Sequence, residues 1–480
     1  MKNFKIQYIN ILLSASIFCF QSCKKFVTVD TPDDRISTES AYKSNVAAAA
    51  VLTGLFAQLS NNYYGSLTLP AISFYEELSA DNLTLFDVNG DANLRDYYQN
   101  MLAPDYGRSY DQHYWRTTFP LIYTINTAIE GLAGNTALSP AISKRLLGEA
   151  YFLRAFCYFY LVNIYGEVPL SITSDYNLNS KTPRSTVADI YSQIELDLQN
   201  AESLLEYNYV TSNANTVYPT GVEERIRPNL AAVNALQARV FLYQKNYAAA
   251  EAAATKVIGH TELYTLGTLK NIFLKNSSET IWALQPVTEG LNTIEGAIFT
   301  IPEGGSSNEH PFLISTSLKN SFEPGDDRKA KWLDSITIDN GGGEVSYVYP
   351  AKYKAARQFI PVDPTEYTIV MRLAEQYLIR AEARNEQGNS GGAAEDLNLL
   401  RNRSRGAVTA KVLTPLPAIS ATITEDQLRP VILHERRVEL FTEWGHRWFD
   451  LKRTGTIDAV ITRTWLSPWI TCSCTTLPVR

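Results

Sequence analysis

Three carboxylates fall four residues apart near the end of the chain, in the stretch LRPVILHERRVELFTEWGHRWFDLKRTG from Leu428 to Gly455. They are Glu435, Glu439 and Glu443, with Arg436 and Arg437 beside them. Four-residue spacing places them on one helix face. A pair of carboxylates is the equipment of glycoside hydrolysis, one acting as acid and one as nucleophile or base. The same spacing next to arginines also builds an ion-pair row that locks a helix to its neighbours, and that structural reading is the stronger here. His434-Glu435 begins like a zinc-protease helix, but Val438 stands where the second histidine is required. The sequence holds no G-x-S-x-G, no P-loop and no dinucleotide fingerprint, and none of its 5 His lies beside an obvious nucleophile. Cys472 and Cys474 form a C-x-C without further ligands, so no metal site and no cofactor are expected. The residues give no positive sign of an enzyme.

What must position such a helix is a large helical frame. The stretch KRLLGEAYFLRAFCYFYLVNIYGEVPL, Lys144 to Leu170, is apolar nearly all round, and a helix of that kind is buried on every side. Glu149, Arg154 and Asn163 interrupt it too often for a membrane span. Glu149 and Arg154, caught inside that wall, each require a buried partner. Gly166 stops the helix and Pro169 keeps the chain extended beyond it. Cys157 inside it serves as a small hydrophobe.

Around this post, helical spacing predicts a helix over the Thr38–Tyr42 and Ala47–Leu59 runs, another over Trp115–Leu132, and one over Pro183–Leu205 capped by Ser185 or Thr186. Two helix pairs, Arg227–Ile258 and Leu373–Leu400, carry the small-large spacing of tetratricopeptide helices: Ala235, Ala238, Ala250 and Ala254 in the first, Ala381, Ala383 and Ala393 in the second. Between them, Ile281–Tyr353 is glycine-rich and reads as short strands and wide loops, with Trp282 in the core. The fold class is therefore mainly α: a tetratricopeptide-like helical scaffold with long irregular loops and a few short strands.

Net charge is −7, from 43 basic and 50 acidic residues, which supplies no basic face for nucleic acid. Met1–Ser22 reads as a secretory signal: Lys2 and Lys5 start it, and Ile9–Phe20 is a short apolar run. Cys23 directly after Ser22 predicts lipid attachment there, which would leave the rest tethered. The expected organisation is a leader at 1–22, an N-terminal helical part at 23–230 and a C-terminal part at 231–480, of which 465–480 is atypical.

Three separated motifs carry a resemblance. They are Gly148-Glu149-Ala150-Tyr151-Phe152-Leu153-Arg154-Ala155 running on to Tyr165-Gly166-Glu167-Val168-Pro169-Leu170, then Arg372–Ala383 (RLAEQYLIRAEA), then Glu435–Arg453 (ERRVELFTEWGHRWFDLKR). In that order they closely resemble the SusD/RagB family of outer-membrane lipoproteins. The resemblance implies a helical frame with binding loops, a palmitate-bearing lipid anchor in the outer membrane facing the exterior, and a SusC-like TonB-dependent transporter as partner. It implies a protein that captures a nutrient, usually a glycan, and does not cleave it. The tail WLSPWITCSCTTLPVR departs from the family's usual Pro-containing ending, and Lys24-Lys25-Phe26 lacks the acidic residues sometimes associated with surface export.

The composition suits that reading. Aromatic rings stack on the apolar faces of neutral sugars, while Asn, Asp and Arg bond their hydroxyls. The chain has 28 Tyr and 7 Trp, most of which serve helix packing. Candidate ligand residues are Tyr63 and Tyr64 in one loop, and Asp87, Tyr97, Tyr98, Tyr106 and Tyr110 in a second that runs to about Tyr110. Two other functions stay open on sequence alone: capture of peptide or another nutrient by the same machine, and a periplasmic scaffold that only holds protein partners.

Overall fold

The structure is a computed structural model and describes residues 38–60, 69–102, 113–339, 341–356 and 363–464. Its principal helices are α1 (Asn45–Ser60), α2 (Ile72–Ser79), α3 (Ala92–Tyr98), α4 (His113–Leu132), α5 (Pro140–Tyr165), α6 (Val187–Leu204), α7 (Leu230–Tyr243), α8 (Tyr247–Ile258), α9 (Leu373–Asn385), α10 (Ser390–Ser404), α11 (Glu425–Leu440) and α12 (His446–Arg453). From α4 to α10 each helix packs on the next in chain order, and α11 packs on α9. This is the predicted tetratricopeptide-like frame, mainly α with few short strands. No helix among the described residues is long and apolar enough to cross a membrane.

The central post is α5, buried around nearly its whole circumference. Both trapped charges find partners. Glu149 takes Arg145 Nε at 2.9 Å on one oxygen and Arg227 on the other. Arg154 grips Asp197 of α6 through two parallel bonds of 2.8 and 2.7 Å. The planar fork suits such a bidentate clamp, which fixes α6 against α5. Phe152 and Phe156 set their faces against Trp282 at 5.1 and 5.2 Å, so Trp282 is core. Gly166 ends the helix at φ 73, a conformation that favours glycine.

The helix pairs form as their alanines require. Ala238, Ala250, Ala253 and Ala254 are all buried, letting α7 and α8 approach closely, and Ala381, Ala383 and Ala393 do the same for α9 and α10. Asn246 and Asn389 cap the second helix of each pair. Thr186, one of the two residues expected to cap α6, accepts from the amide of Asp189 at 3.2 Å.

The longer strands are β1 (Leu83–Leu85), ahead of the first pair, and, between the pairs, β2 (Thr280–Leu284), β3 (Phe312–Ile314), β4 (Leu333–Asp339), β5 (Glu344–Pro350) and β6 (Thr368–Arg372). All pair antiparallel: β1 with β3, β2 with β6 through a bulge, and β4 with β5 in register from Leu333↔Pro350 to Asp339↔Glu344. The Ile281–Tyr353 region is thus strand and loop as expected, but it also holds short helices at Ile294–Phe299, Thr316–Ser321 and Asp327–Trp332. The side chains of Thr293, Ser315 and Asp326 cap these helices, a local signal that glycine content masked.

Three further expectations are corrected. The first predicted helix is broken into Thr38–Ala41 and α1 by a turn at residues 42–44. The stretch after α2 is not one long loop, because Asp91 accepts from the amides of Asn93 and Leu94 and starts α3. The glutamate row does not stay on one helix face: α11 ends at Leu440, and Thr442, Trp444 and Gly445 take positive φ of 55, 48 and 68. That tight turn nevertheless folds Glu443 back beside Glu439.

Candidate functional site

The loop after β1 and the glycine-rich loop before β3 meet at the surface. They are drawn together by the β1–β3 pairing, prolonged where the Phe86 amide donates to Pro311 O at 2.8 Å. Asp87 folds its loop into a turn, accepting from the amide of Asn89 at 2.8 Å. On the facing loop, Ser306 Oγ donates to His310 O at 2.7 Å, and His310 Nδ1 lies 3.3 Å from Ile298 O. The two loops touch where Gly90 passes Asn308; a Cβ on Gly90 would lie 2.4 Å from Asn308 Oδ1 and would push that side chain aside. The hairpin β4–β5 forms the third side. Phe86, 40 % exposed, meets the half-buried Tyr347 of β5 edge to face at 5.7 Å.

The result is an aromatic pair open to solvent, rimmed by Asp87, Asn89, Asn308, Glu309 and His310. Such a surface offers ring faces for apolar C–H groups and several donors and acceptors for hydroxyls. It rests on a rigid base. Asp81 binds Arg447 Nε at 2.7 Å and Arg437 Nη2 at 2.9 Å. Burial pushes its carboxyl up, but Arg437 and Arg447 outweigh that and hold it below the usual range. Arg437 Nε also donates to Asn82 Oδ1 at 2.9 Å, so the end of α11 pins the segment leading into β1.

The sequence-predicted ligand residues divide. Asp87 is exposed on this wall. Tyr97 is not in a loop; it lies on α3, fully buried, with its ring 4.8 Å from Tyr75. It is a core residue, because capping by Asp91 winds the segment into a helix that turns Tyr97 inward. Tyr98, half-buried, accepts from Thr84 Oγ1 at 2.9 Å and braces β1. Tyr63, Tyr64, Tyr106 and Tyr110, together with Cys23, lie outside the described residues. Sequence reading missed Phe86, Asn308, His310 and Tyr347. The glycine run Glu303–Asn308 marked the loop, but only the β1–β3 pairing brings it to residues more than two hundred positions earlier.

The glutamate row is structural. Glu439 is fully buried and receives Arg403 at 2.6 Å, Arg372 at 2.7 Å and Arg328 at 2.9 Å. Glu435 binds Arg328 at 2.6 Å and Arg401 at 3.0 Å. Glu443 binds Arg372 at 2.7 Å and also Lys352. Burial pushes the Glu439 carboxyl up, yet Arg403, Arg372 and Arg328 drive it well below its ordinary value. A general acid needs the opposite shift and a path to substrate.

This geometry defines a class: a rigid helical scaffold that carries an exposed aromatic and polar wall, with its buried carboxylates used for packing. Residues 36–242 match the family model described as "Starch-binding associating with outer membrane", and residues 329–466 match that of the SusD family. The chain belongs to the SusD family. It is similar to SusD-like protein P25 of Formosa agariphila, 26% identical, covering 95% of this chain and 91% of that one. Its fold is similar to that of a SusD superfamily protein of Bacteroides vulgatus, at TM-score 0.72 and 17% identity, with 90% of this chain and 95% of that one covered. It is similar also to a laminarin-binding SusD-like protein at TM-score 0.68 and 21% identity, with the same coverage.

Proposed function

We propose that this chain is an outer-membrane lipoprotein that captures an oligosaccharide and delivers it to a SusC-like TonB-dependent transporter. Cys23 holds it to the membrane, and the segment after it gives the frame reach. The parts 23–230 and 231–480 act as one frame in this reading. The protein binds and does not cleave. The observation that carries the proposal is the exposed Phe86 set against Tyr347, with exposed polar loop residues beside it, on a packed helical scaffold. The family description and the laminarin-binding neighbour support sugar over peptide as the ligand. Asp87 of the wall, and Tyr63, Tyr64, Tyr106 and Tyr110 outside the described residues, remain proposed ligand residues.

The test is a broad glycan array on the mature protein, with laminarin as the first probe in titration calorimetry. Binding is expected, and Phe86→Ala or Tyr347→Ala should weaken it about threefold to tenfold with the melting curve unchanged, since an aromatic contact contributes about 0.5–1.5 kcal/mol. No hit on the array, with binding to protein digests instead, would reject the sugar reading.

A further inference from the structure

Beneath the wall, α2 carries Glu76 and Glu77 side by side, both fully buried. The buried carboxylates Glu435, Glu439 and Glu443 sit against arginines. Glu76 does not: neither of its oxygens has a hydrogen-bond partner among the described residues. Tyr114 of α4 faces it, and the Tyr114 and Thr118 hydroxyls, one turn apart on one helix face, are also buried with no hydrogen-bond partner among the described residues. The cation facing it is Lys452 of α12, whose Nζ is already committed to Asn163 O. Tyr75 and Tyr97 close the space around Tyr114. Glu77 accepts from Asn82 Nδ2 at 2.6 Å and meets the backbone of Thr442 and Arg447; Lys352 and Arg437 are the charges around it. From the inserted helix Ile294–Phe299, Glu295 reaches Ser73 of α2 and accepts from Thr368 Oγ1 at 3.1 Å, with Glu443 as its like-charged neighbour. Burial, opposed in part by Lys452 for Glu76 and by Asn82, the Thr442 and Arg447 backbone and Lys352 for Glu77, pushes these carboxyls and that of Glu295 up to about 7.

The cluster is wired to the wall. Asn82 joins Glu77 through its amide nitrogen, Arg437 through its amide oxygen, and β3 through its carbonyl, which accepts from Ser315 N at 3.0 Å. The next residue starts β1. Gly445 packs its bare Cα against α2 so closely that a Cβ would lie 2.7 Å from Ile72 Cγ2 and 2.9 Å from Glu76 Cβ.

We propose that α2 is a proton-operated latch: with a proton on the Glu76–Glu77 pair the segment 72–91 is held against the core, and with the pair fully ionised it opens more readily and slackens the wall. Opening hydrates the carboxylates, and the proton is exchanged with solvent. Only the functional consequence rests on reading the wall as the ligand site; the latch itself is read without ligand.

The experiment is deuterium exchange on the mature protein in detergent at about pH 5.5 and about pH 8.5, corrected for intrinsic rates. A single carboxylate held near 7 when closed and released to about 4.5 when open favours opening about thirty-fold more at the higher pH. That rise is expected across 72–91 and not across α7–α8. Glu76→Gln keeps the shape and should flatten the dependence; Glu77→Gln is the second variant. A change below about threefold in the wild-type segment, or an undiminished one in both glutamine variants, overturns the latch. Failure of the glycan array with this exchange pattern intact would reject the ligand reading alone.

Discussion

Replacing Glu439 by Gln tests whether the glutamate row is a lock or a catalytic device. The substitution keeps volume and removes one negative charge from a carboxylate that three guanidiniums share. Breaking a buried pair by removing one partner costs about 3–5 kcal/mol, because the other charge is left uncompensated. Here each arginine keeps a second carboxylate: Arg328 keeps Asp326 and Glu435, Arg372 keeps Glu443, and Arg403 keeps Glu279. The loss therefore belongs at the low end, about 3 kcal/mol. In urea unfolding of the mature protein, with a slope of about 3 kcal/mol per molar, the midpoint should drop by about 1 M. Arg429→Ala, which removes a solvent-exposed ion-pair network with Glu386, Glu425 and Asp426, serves as control and should leave the midpoint where it is. An unchanged midpoint for Glu439→Gln would refute the lock. So would a loss of glycan turnover by a fully stable variant.

Two further outcomes are expected. The urea midpoint should rise as pH is lowered from about 8 to about 5, because Glu76, Glu77 and Glu295 are held near 7 in the fold. Their contribution is complete below the ordinary carboxylate value and is lost as pH climbs through 7, about 3 kcal/mol each. Glu439, Glu443 and Asp450, held low by burial outweighed by their arginines, act in the opposite sense, so stability should fall again in stronger acid. A midpoint flat between those limits would contradict the burial of unpaired carboxylates on α2. Cys23→Ala should move the protein from the membrane fraction to the soluble one on cell fractionation, and retention in the membrane would reject the lipid anchor.

The frame was legible in the sequence because its signals are local. The all-round apolar pattern of 144–165 gives a buried helix wherever it is placed. Alanines at helical spacing give close-packed pairs, and Gly166 and Gly445 mark chain reversals at positive φ. Even the demand that Glu149 and Arg154 find partners follows from residue type, since neither tolerates burial alone. Arg145, one turn before Glu149, was within local reach, but Arg227 and Asp197 come from segments 78 and 43 positions away and did not follow.

The wall was only half legible for the same reason. Asp87 lies in a stretch whose turn residues announce a loop. Tyr97, five residues past a helix start, looked equally available, and the winding of α3 buries it. Phe86 and Tyr347 acquire meaning only together, and no local pattern encodes a meeting across 261 positions. Residue types and short-range spacing determined which segments are helical, which charges must pair and which family the chain resembles. Strand pairing and long-range packing decided which rings face solvent, which glutamates lie beside arginines and which are left alone. Those outcomes depend on contacts between distant segments, and such contacts exist only once the whole core has closed.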